Sequence, residues 1–214
     1  MTEAMDALGA IGSARAMRYL CPDPIPDEAV DRLIWAATRA SSAHNSQPWE
    51  FLVLRDERVR TQFGELIRAA ALEADPLPTP PAGRSDRLID AGVRHLFSTL
   101  GQAPVIILVC GANIYPPAAP DKRFLYSAMY SAAQNLLVAA RALGLGAAST
   151  MLHTLAEPAI RELLAIPDDI TIGVTTPVGR PARPFSPIVR KPVAEVVHYD
   201  RWQASPALPP VVPA

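Results

Sequence analysis

The feature of this sequence that most limits its possible folds is an uncharged segment, Phe124 to Ala140, inside a longer predicted helix over about 121–143. Small and large residues alternate around the whole circumference of this helix, and a helix without a polar face has to be buried on every side. A membrane span is the alternative, but the uncharged run falls short of about 20 residues and carries Gln134 and Asn135 near its middle. A 214-residue chain has little room to surround such a helix. We therefore expect it at an interface between subunits.

Composition places the chain among ordinary globular proteins. Its length suits one substantial core, so we expect a single domain over 1–214 with its core at 13–202. Half of the residues are apolar and the net charge is -1, which argues against disorder and against nucleic acid as a main partner. Two cysteines, Cys21 and Cys110, do not suggest a disulfide framework, and the N-terminus lacks the pattern of a secretory signal. We expect a cytoplasmic protein without a membrane partner.

Helical and strand-like patterns both occur along the chain, whose length suits one α+β domain. The strand at 49–54 has apolar residues on both sides and is expected to be buried on both faces. The proline-rich stretch 75–85 is expected to be a variable loop, either a lid over a substrate or a plain linker, and 203–214 an extended tail. The remaining predicted strands cover 105–109, which Gly111 ends, 147–152 and 170–178. Predicted helices cover 3–12, 86–100 and 157–164, and two more begin at the caps Asp27 and Asp56.

A polar turn between a helix and a strand, Ala40 to Phe51, carries hydroxyl, amide and indole groups where no core needs them. Pro48 keeps Gln47 out of an ordinary helical conformation, so the helix must stop before it. Such a turn on a rigid scaffold is a typical binding loop. The four histidines show no metal-ligand spacing, and no catalytic nucleophile or acid–base pair stands out, so we expect no metal site and no catalytic side chain.

Three segments resemble the nitroreductase family of flavin enzymes. The turn resembles the family's Ala-Pro-Ser-x-x-Asn-x-Gln-Pro-Trp motif through Ala40, Ser42, Asn45 and Gln47-Pro48-Trp49, with Ser41 in the place of proline. Near the N-terminus, Arg15 and Arg18 match the basic positions of a family motif that binds the FMN phosphate and ribityl chain. Ala16 stands where that motif usually has a residue with a hydroxyl group. The run Gln134 to Ala140 matches the family's long central helix.

The resemblance implies a three-layer α/β/α fold, with helices around a central, mostly antiparallel sheet, in an intertwined homodimer. It implies FMN as cofactor, held by Arg15, Ala16, Arg18, Ser42, Asn45 and Gln47, by backbone N–H groups of Thr150, Met151 and Leu152 near flavin N5 and O4, and by Arg190 and Lys191. The N-terminal pair Arg15 and Arg18 and the C-terminal pair Arg190 and Lys191 can share an anion site only if the fold brings the two ends of the chain together. NAD(P)H is the implied co-substrate, and a nitroaromatic or quinone the implied acceptor, in ping-pong order at one stacking site.

Four residues are weaker candidates for a substrate pocket, and each has an ordinary structural alternative. His44 lies in the turn and could simply be solvated. His153 follows the flavin-contacting stretch and could donate a proton there, although a structural histidine is the default expectation. Tyr126 and Tyr130 share one face of the central helix and could be interface packing. Trp49 is expected to be a core anchor. Two other functions stay open: a flavin-binding or storage module without turnover, and dehalogenation or flavin cleavage on the same scaffold. A deazaflavin in place of FMN also stays open.

Overall fold

The structure is a computed structural model that describes residues 5–74 and 83–202. The tail 203–214 and residues 75–82 of the predicted loop lie outside the described residues. The helices are α1 (Ala7–Ser13), α2 (Asp27–Ala37), α3 (Glu57–Ala74), α4 (Arg84–Thr99), α5 (Lys122–Ala142) and α6 (Glu157–Leu164), and the strands are β1 (Trp49–Leu54), β2 (Val105–Ala112), β3 (Gly146–Ala147) and β4 (Ile170–Gly179).

The sheet has the order β1-β2-β4-β3, and every neighbouring pair is antiparallel. Successive residues of β2 point to opposite faces. Val105, Ile107 and Val109 pack in the cluster that α2 and α5 cover. Ile106, Leu108 and Cys110 pack in the cluster that α3, α4 and α6 cover. The predicted α+β fold with three layers, helix, sheet and helix, is therefore confirmed.

Helix α5 has the predicted length and ends. The Asp121 side chain accepts a hydrogen bond from the Arg123 N–H at the first turn, and Gly144 adopts φ 72° just after the last turn. One face of α5 is buried against the sheet. The opposite face is not covered within one chain: Ser127 and Gln134 are exposed, and Tyr130 is 44% exposed. Within one chain the helix is therefore not buried on every side, and an uncharged stripe stays open to solvent.

Several predicted boundaries differ from the structure for local reasons. Pro26, not Asp27, occupies the N-cap of α2, and Asp27 is its first residue. Helix α4 starts at Arg84, two residues inside the predicted loop, because the last proline of that stretch is Pro81. Strand β2 continues through Gly111 to Ala112.

Strands β1 and β3 correct two further predictions. Strand β1 lies at one edge of the sheet, so it is half-buried with Glu50 exposed, instead of being buried on both faces. Strand β3 stops at Ala147, although a strand was expected over 147–152. Beyond it the chain touches β4 again through a single bridge between Thr150 and Thr175 and then coils into a 3-10 turn at Leu152–Leu155.

Two segments that are far apart in the sequence meet beside the sheet. Leu20 forms an antiparallel bridge with Pro181. The Cys21 N–H donates to the Arg180 carbonyl at 2.8 Å, and the Ala182 N–H donates to the Tyr19 carbonyl at 2.9 Å. This pairing brings 15–21 beside 180–186, whereas the predicted shared site also needs Arg190 and Lys191 to approach Arg15 and Arg18.

Candidate functional site

The polar turn is a strained segment held at both ends. His44, Asn45 and Gln47 adopt φ values of 53°, 53° and 44°, a left-handed region that residues other than glycine rarely enter. The Gln47 N–H donates to Ser42 Oγ at 3.0 Å, which closes the turn. Such strain persists where the surroundings over-determine the conformation, and it clusters at binding sites.

The far end of the turn is tied to β2. The Pro48 carbonyl accepts a hydrogen bond from the Ala112 N–H at 3.0 Å. Gly111 makes this approach possible, since a Cβ at that residue would collide with the Pro48 carbonyl oxygen. Trp49 is buried at 8% exposure, which confirms its role as a core anchor.

The turn presents its side chains to solvent. Asn45, Gln47 and His44 are exposed, and within the described residues the side-chain amides of Asn45 and Gln47 make no hydrogen bond. The His44 ring lies nearly parallel to Tyr115 at 6.1 Å, and Tyr115 meets Phe124 edge-on at 5.1 Å. The turn therefore offers free amide donors and acceptors beside an aromatic group.

An open cavity of about 510 Å³ lies between the start of the turn and the exposed face of α5. Tyr130 lines it, and Tyr126 stacks on Tyr130 with ring centroids 5.8 Å apart. Asn135 is fixed there by donating to the Ala36 carbonyl at 3.2 Å. Of the four predicted pocket residues, the structure thus brings Tyr130 to this cavity, with Tyr126 behind it. The cavity is lined by Arg39, Ala40, Ser41, Tyr130, Ser131, Gln134 and Asn135.

His153 does not belong to a substrate pocket. Its side chain is fully buried, with Nδ1 3.1 Å from Thr175 Oγ1 and Nε2 3.1 Å from the Ile172 carbonyl oxygen. A carbonyl can only accept, so Nε2 carries the proton and Nδ1 accepts from the threonine hydroxyl. Burial lowers the pKa of His153 below its ordinary value of 6.5. The structural alternative is the correct one, because both ring nitrogens are already paired inside the core.

The backbone donors predicted at 150–152 are only partly free. The Thr150 N–H donates to the Thr175 carbonyl at 2.9 Å, and the Leu152 N–H donates to Thr150 Oγ1 at 3.2 Å. Within the described residues, the Met151 N–H has no such partner, and Met151 is 50% exposed. The expectation of three available N–H groups is therefore corrected to one, because the stretch pairs with β4.

The basic residues near the N-terminus form a corner with the segment that follows β4. Arg15 donates to the Ser186 carbonyl at 3.3 Å, and the aliphatic part of Arg18 packs against Gly92 of α4. Burial lowers the pKa of Arg18, and the positive charge of Arg15 lowers it further. The ion pairs of the described chain involve neither arginine. Ala16 is half-buried in this corner, between the two arginines in sequence.

No hydrogen bond of the described residues joins Arg190 or Lys191 to this corner. Both are exposed, and the side-chain hydrogen bond of Arg190 within the described residues goes to the adjacent Val189 carbonyl at 3.0 Å. Within one chain, no hydrogen bond of the described residues joins the polar turn to the corner formed by Arg15 and Arg18.

Arg183 is a residue of this corner that the sequence did not single out. Its guanidinium carbon lies 3.5 Å from the centroid of the Tyr19 ring, and Tyr19 also stacks with His95 at 4.3 Å. Burial lowers the pKa of His95, and the charge of Arg183 adds to that effect. The run Gly179-Arg180-Pro181 pointed to the exit from β4, but no local pattern indicates which arginine after it faces the N-terminal segment.

The described part of the chain has neither a metal-ligand cluster nor a helix suited to span a membrane. Residues 5–74 and 83–202 contain no group of three His, Cys, Asp or Glu residues placed to hold a metal ion. None of the helices over these residues combines the length and hydropathy that crossing a membrane requires.

Comparison with known proteins gives one family and several relatives. The family model described as Nitroreductase family matches residues 11–180. A protein of Methanothermobacter thermautotrophicus with the provisional name NADH dehydrogenase/NAD(P)H nitroreductase is 28% identical over 92% of this chain and 88% of its own length. The crystal structure of a provisionally named nitroreductase from Desulfovibrio desulfuricans, in complex with FMN, is 26% identical with a TM-score of 0.66, covering 89% of this chain and 94% of that one. Iodotyrosine deiodinase 1 of Rattus norvegicus is 26% identical over 81% of this chain and 61% of its own length.

Proposed function

The chain belongs to the nitroreductase family, and from this premise we propose that it is an FMN-dependent oxidoreductase. The proposed reaction moves a hydride from NAD(P)H to an electron-poor acceptor, a nitroaromatic or a quinone. The observation that carries the proposal is the polar turn, with its free amides on Asn45 and Gln47 held in a strained conformation by Ser42 and Pro48. The FMN complex of the Desulfovibrio relative supports the choice of cofactor.

The residues present suit FMN. Arg15 and Arg18 form a corner without a carboxylate partner among the described ion pairs, and a phosphate dianion is the complement of such a corner. Asn45 and Gln47 would hydrogen-bond the polar edge of the flavin ring system, with the Met151 N–H as a further donor. FMN, when bound, supplies the hydride chemistry, so the chain needs no nucleophile or acid–base pair of its own. Arg190 and Lys191 stay proposed phosphate ligands on an exposed segment.

We further propose that the site is completed in a homodimer. The turn and the basic corner share no hydrogen bond within the described residues of one chain, and the exposed face of α5 carries no charge between Phe124 and Ala140. The segment after the corner exposes large apolar side chains, among them Val189 at 87% and Trp202 at 81%. A second copy packed on α5 and wrapped by this segment would cover both surfaces.

Anaerobic mixing with NADPH or NADH tests the function. An oxidoreductase loses its yellow absorbance on mixing, whereas a binding or storage module keeps it. If one stacking site serves both NAD(P)H and acceptor, initial-rate plots against the two substrates give parallel lines. Intersecting lines would contradict the shared site but leave the oxidoreductase assignment standing.

Reductive dehalogenation is the second candidate, and the 26% identity to rat iodotyrosine deiodinase 1 favours it. The same assay separates the two functions. Protein reduced under anaerobic conditions is offered 3-iodotyrosine in one sample and a quinone in another, and the rate at which the yellow colour returns is compared. Faster recovery with the quinone supports the main proposal, and faster recovery with iodide release from 3-iodotyrosine supports dehalogenation.

A further inference from the structure

An exposed tryptophan of α2 holds an arginine at the cavity beside the polar turn. Trp35 is 65% exposed, so burial in the core does not explain a side chain of this size there. The guanidinium carbon of Arg39 lies 5.5 Å from the centroid of the Trp35 ring, and Arg39 Nη2 donates to Thr38 Oγ1 at 3.1 Å. These two contacts restrict the long Arg39 side chain before a ligand arrives, which lowers the entropy cost of binding.

The charge of Arg39 has no acidic partner in the described part of the chain. None of the described residues that line the cavity is acidic. The described side-chain hydrogen bond of Arg39 uses Nη2, so the N–H groups of Nε and Nη1 have no partner among the described residues. Such a planar fork matches the two oxygens of a carboxylate. The ion pairs of the described chain involve other arginines: Arg55, Arg94, Arg123 and Arg161.

Helix α5 supplies an aromatic ring and an amide to the same cavity. Tyr130 lines it, and Tyr126 stacks on Tyr130 with ring centroids 5.8 Å apart and ring planes 19° apart. Gln134, four residues further along α5, also lines the cavity and is exposed. The Asn135 amide donates to the Ala36 carbonyl at 3.2 Å, which fixes α5 against the end of α2. The cavity therefore combines a cation, an amide and a stacking surface on two elements that are tied together.

We propose that this cavity binds a small aromatic carboxylate, with the carboxylate on Arg39 and the ring on Tyr130. Its volume of about 510 Å³ lies in the range of small-molecule pockets, about 300–1,000 Å³. Ala40 and Ser41, at the start of the polar turn, also line it. We further infer that this ligand is the electron acceptor, a step that rests on the proposed function. The acceptor class is then narrowed from nitroaromatics in general to those that carry a carboxylate.

Benzoate and benzamide test the site without turnover, because they differ in charge and hardly in shape. NMR titration of the purified protein measures both affinities. Wild type should bind benzoate about tenfold or more tightly than benzamide, since hydrogen bonds between two charged groups are stronger than neutral ones. Arg39→Met should lower the affinity for benzoate to about that for benzamide. Equal affinities of wild type for the two ligands would overturn the proposal. So would the absence of benzoate binding, as expected if a second copy on α5 fills the cavity.

The matched control is Arg32→Met, which removes the charge of another exposed arginine, on α2. Arg32 lines a different cavity, of about 300 Å³, so this variant should bind benzoate as wild type does. Arg39→Lys keeps the charge but not the planar fork and should fall between wild type and Arg39→Met. Trp35→Leu should also weaken benzoate binding, because Arg39 loses the ring that holds it. Circular dichroism confirms that each variant is folded, and equal benzoate binding by Arg39→Met and Arg32→Met would overturn the site.

Turnover tests the role of the ligand as acceptor. In the enzyme loaded with FMN, kcat/KM should be about tenfold or more higher for 4-nitrobenzoate than for 4-nitrobenzamide. Arg39→Met should abolish this preference, and Arg32→Met should keep it. Benzoate binding through Arg39 without a preference in turnover would support the site and overturn the acceptor role. The benzoate titration needs neither flavin nor NAD(P)H, so its outcome does not depend on whether the protein is an oxidoreductase.

Discussion

The backbone N–H of Gln47 donates to Ser42 Oγ at 3.0 Å, across a turn in which His44, Asn45 and Gln47 itself all adopt left-handed conformations. This hydrogen bond joins Ser42, at the start of the turn, to Gln47, the residue before Pro48. It therefore stabilises the conformation that presents the Asn45 amide. Loss of the hydrogen bond should weaken the binding of a ligand to that amide.

Ser42→Ala should weaken FMN binding more than it weakens the fold. The variant loses a hydrogen bond worth about 1 kcal/mol, and the strained turn can then relax to ordinary backbone conformations. Titration of flavin-free protein with FMN measures the effect. Ser42→Thr keeps the hydroxyl and should restore affinity; a Thr variant as weak as the Ala variant would show that the hydroxyl does not act through the turn.

Replacing Arg18 and Arg190 together by Met should yield colourless protein, because two of the proposed phosphate ligands are removed. The single Arg18→Met variant should lose more FMN than Arg190→Met, since Arg18 is half-buried in the basic corner whereas Arg190 is exposed. The ratio of flavin absorbance to protein absorbance after purification measures the content. Stoichiometric FMN in the double variant would contradict the phosphate assignment.

Gln134→Arg should convert the proposed dimer into folded monomers. Gln134 is exposed in the single chain, so an arginine there is solvated in the monomer, whereas packing a second copy against α5 would bury its charge without a partner. Light scattering after gel filtration measures the mass. Gln62→Arg, the same change at an exposed residue of α3, should leave the mass unchanged. A wild-type protein that is already monomeric would contradict the dimer itself.

His153 should make the protein less stable as the pH falls below about 6.5. Its pKa in the folded state is lower than its ordinary value of 6.5, so the unfolded chain binds a proton at a higher pH than the folded chain does. Stability therefore decreases as the pH falls from 6.5 to the folded-state pKa. Chemical denaturation between pH 8 and 5 measures the slope. His153→Gln should reduce this slope while lowering stability overall, and His95, whose pKa is also lowered by burial, contributes the part that remains. An unchanged slope in His153→Gln would contradict the assignment.

Cys110 should not react with a thiol reagent in the native protein. It is 3% exposed, and burial raises its pKa to about 12, so almost no thiolate is present near neutral pH. Both cysteines are free thiols, and Cys21 is only half-buried. Titration with a disulfide reagent should therefore count at most one thiol before unfolding and two after it. Two reactive thiols in the folded protein would contradict the burial of Cys110.

Much of the fold was accessible from local patterns. The uncharged run from Phe124 to Ala140, with Asp121 before it and Gly144 after it, predicted α5 to within one residue at each end. Strand β1 and helix α6 were predicted with their observed bounds, since their signals, apolar runs and a proline at the helix start, lie inside the elements themselves. The resemblance carried by the polar turn then supplied the family.

The incorrect predictions concern residues whose contacts are made with distant parts of the sequence. Thr150 was predicted as a free donor, but it pairs with Thr175, and His153 was a pocket candidate, but it is buried between Thr175 and Ile172. Nothing in the sequence around 147–155 encodes its contact with β4. The contact of Arg183 with the Tyr19 ring depends in the same way on the pairing of two segments that are far apart in the sequence.

The sequence by itself determined which segments are helices and strands, where the polar turn lies and which family the chain resembles, because caps, prolines and apolar periodicity act over a few residues. Only the tertiary structure decided which basic residues share a corner, which backbone donors remain free and which histidine is buried. These properties depend on register between distant segments, and that register is set by how the helices and strands pack together.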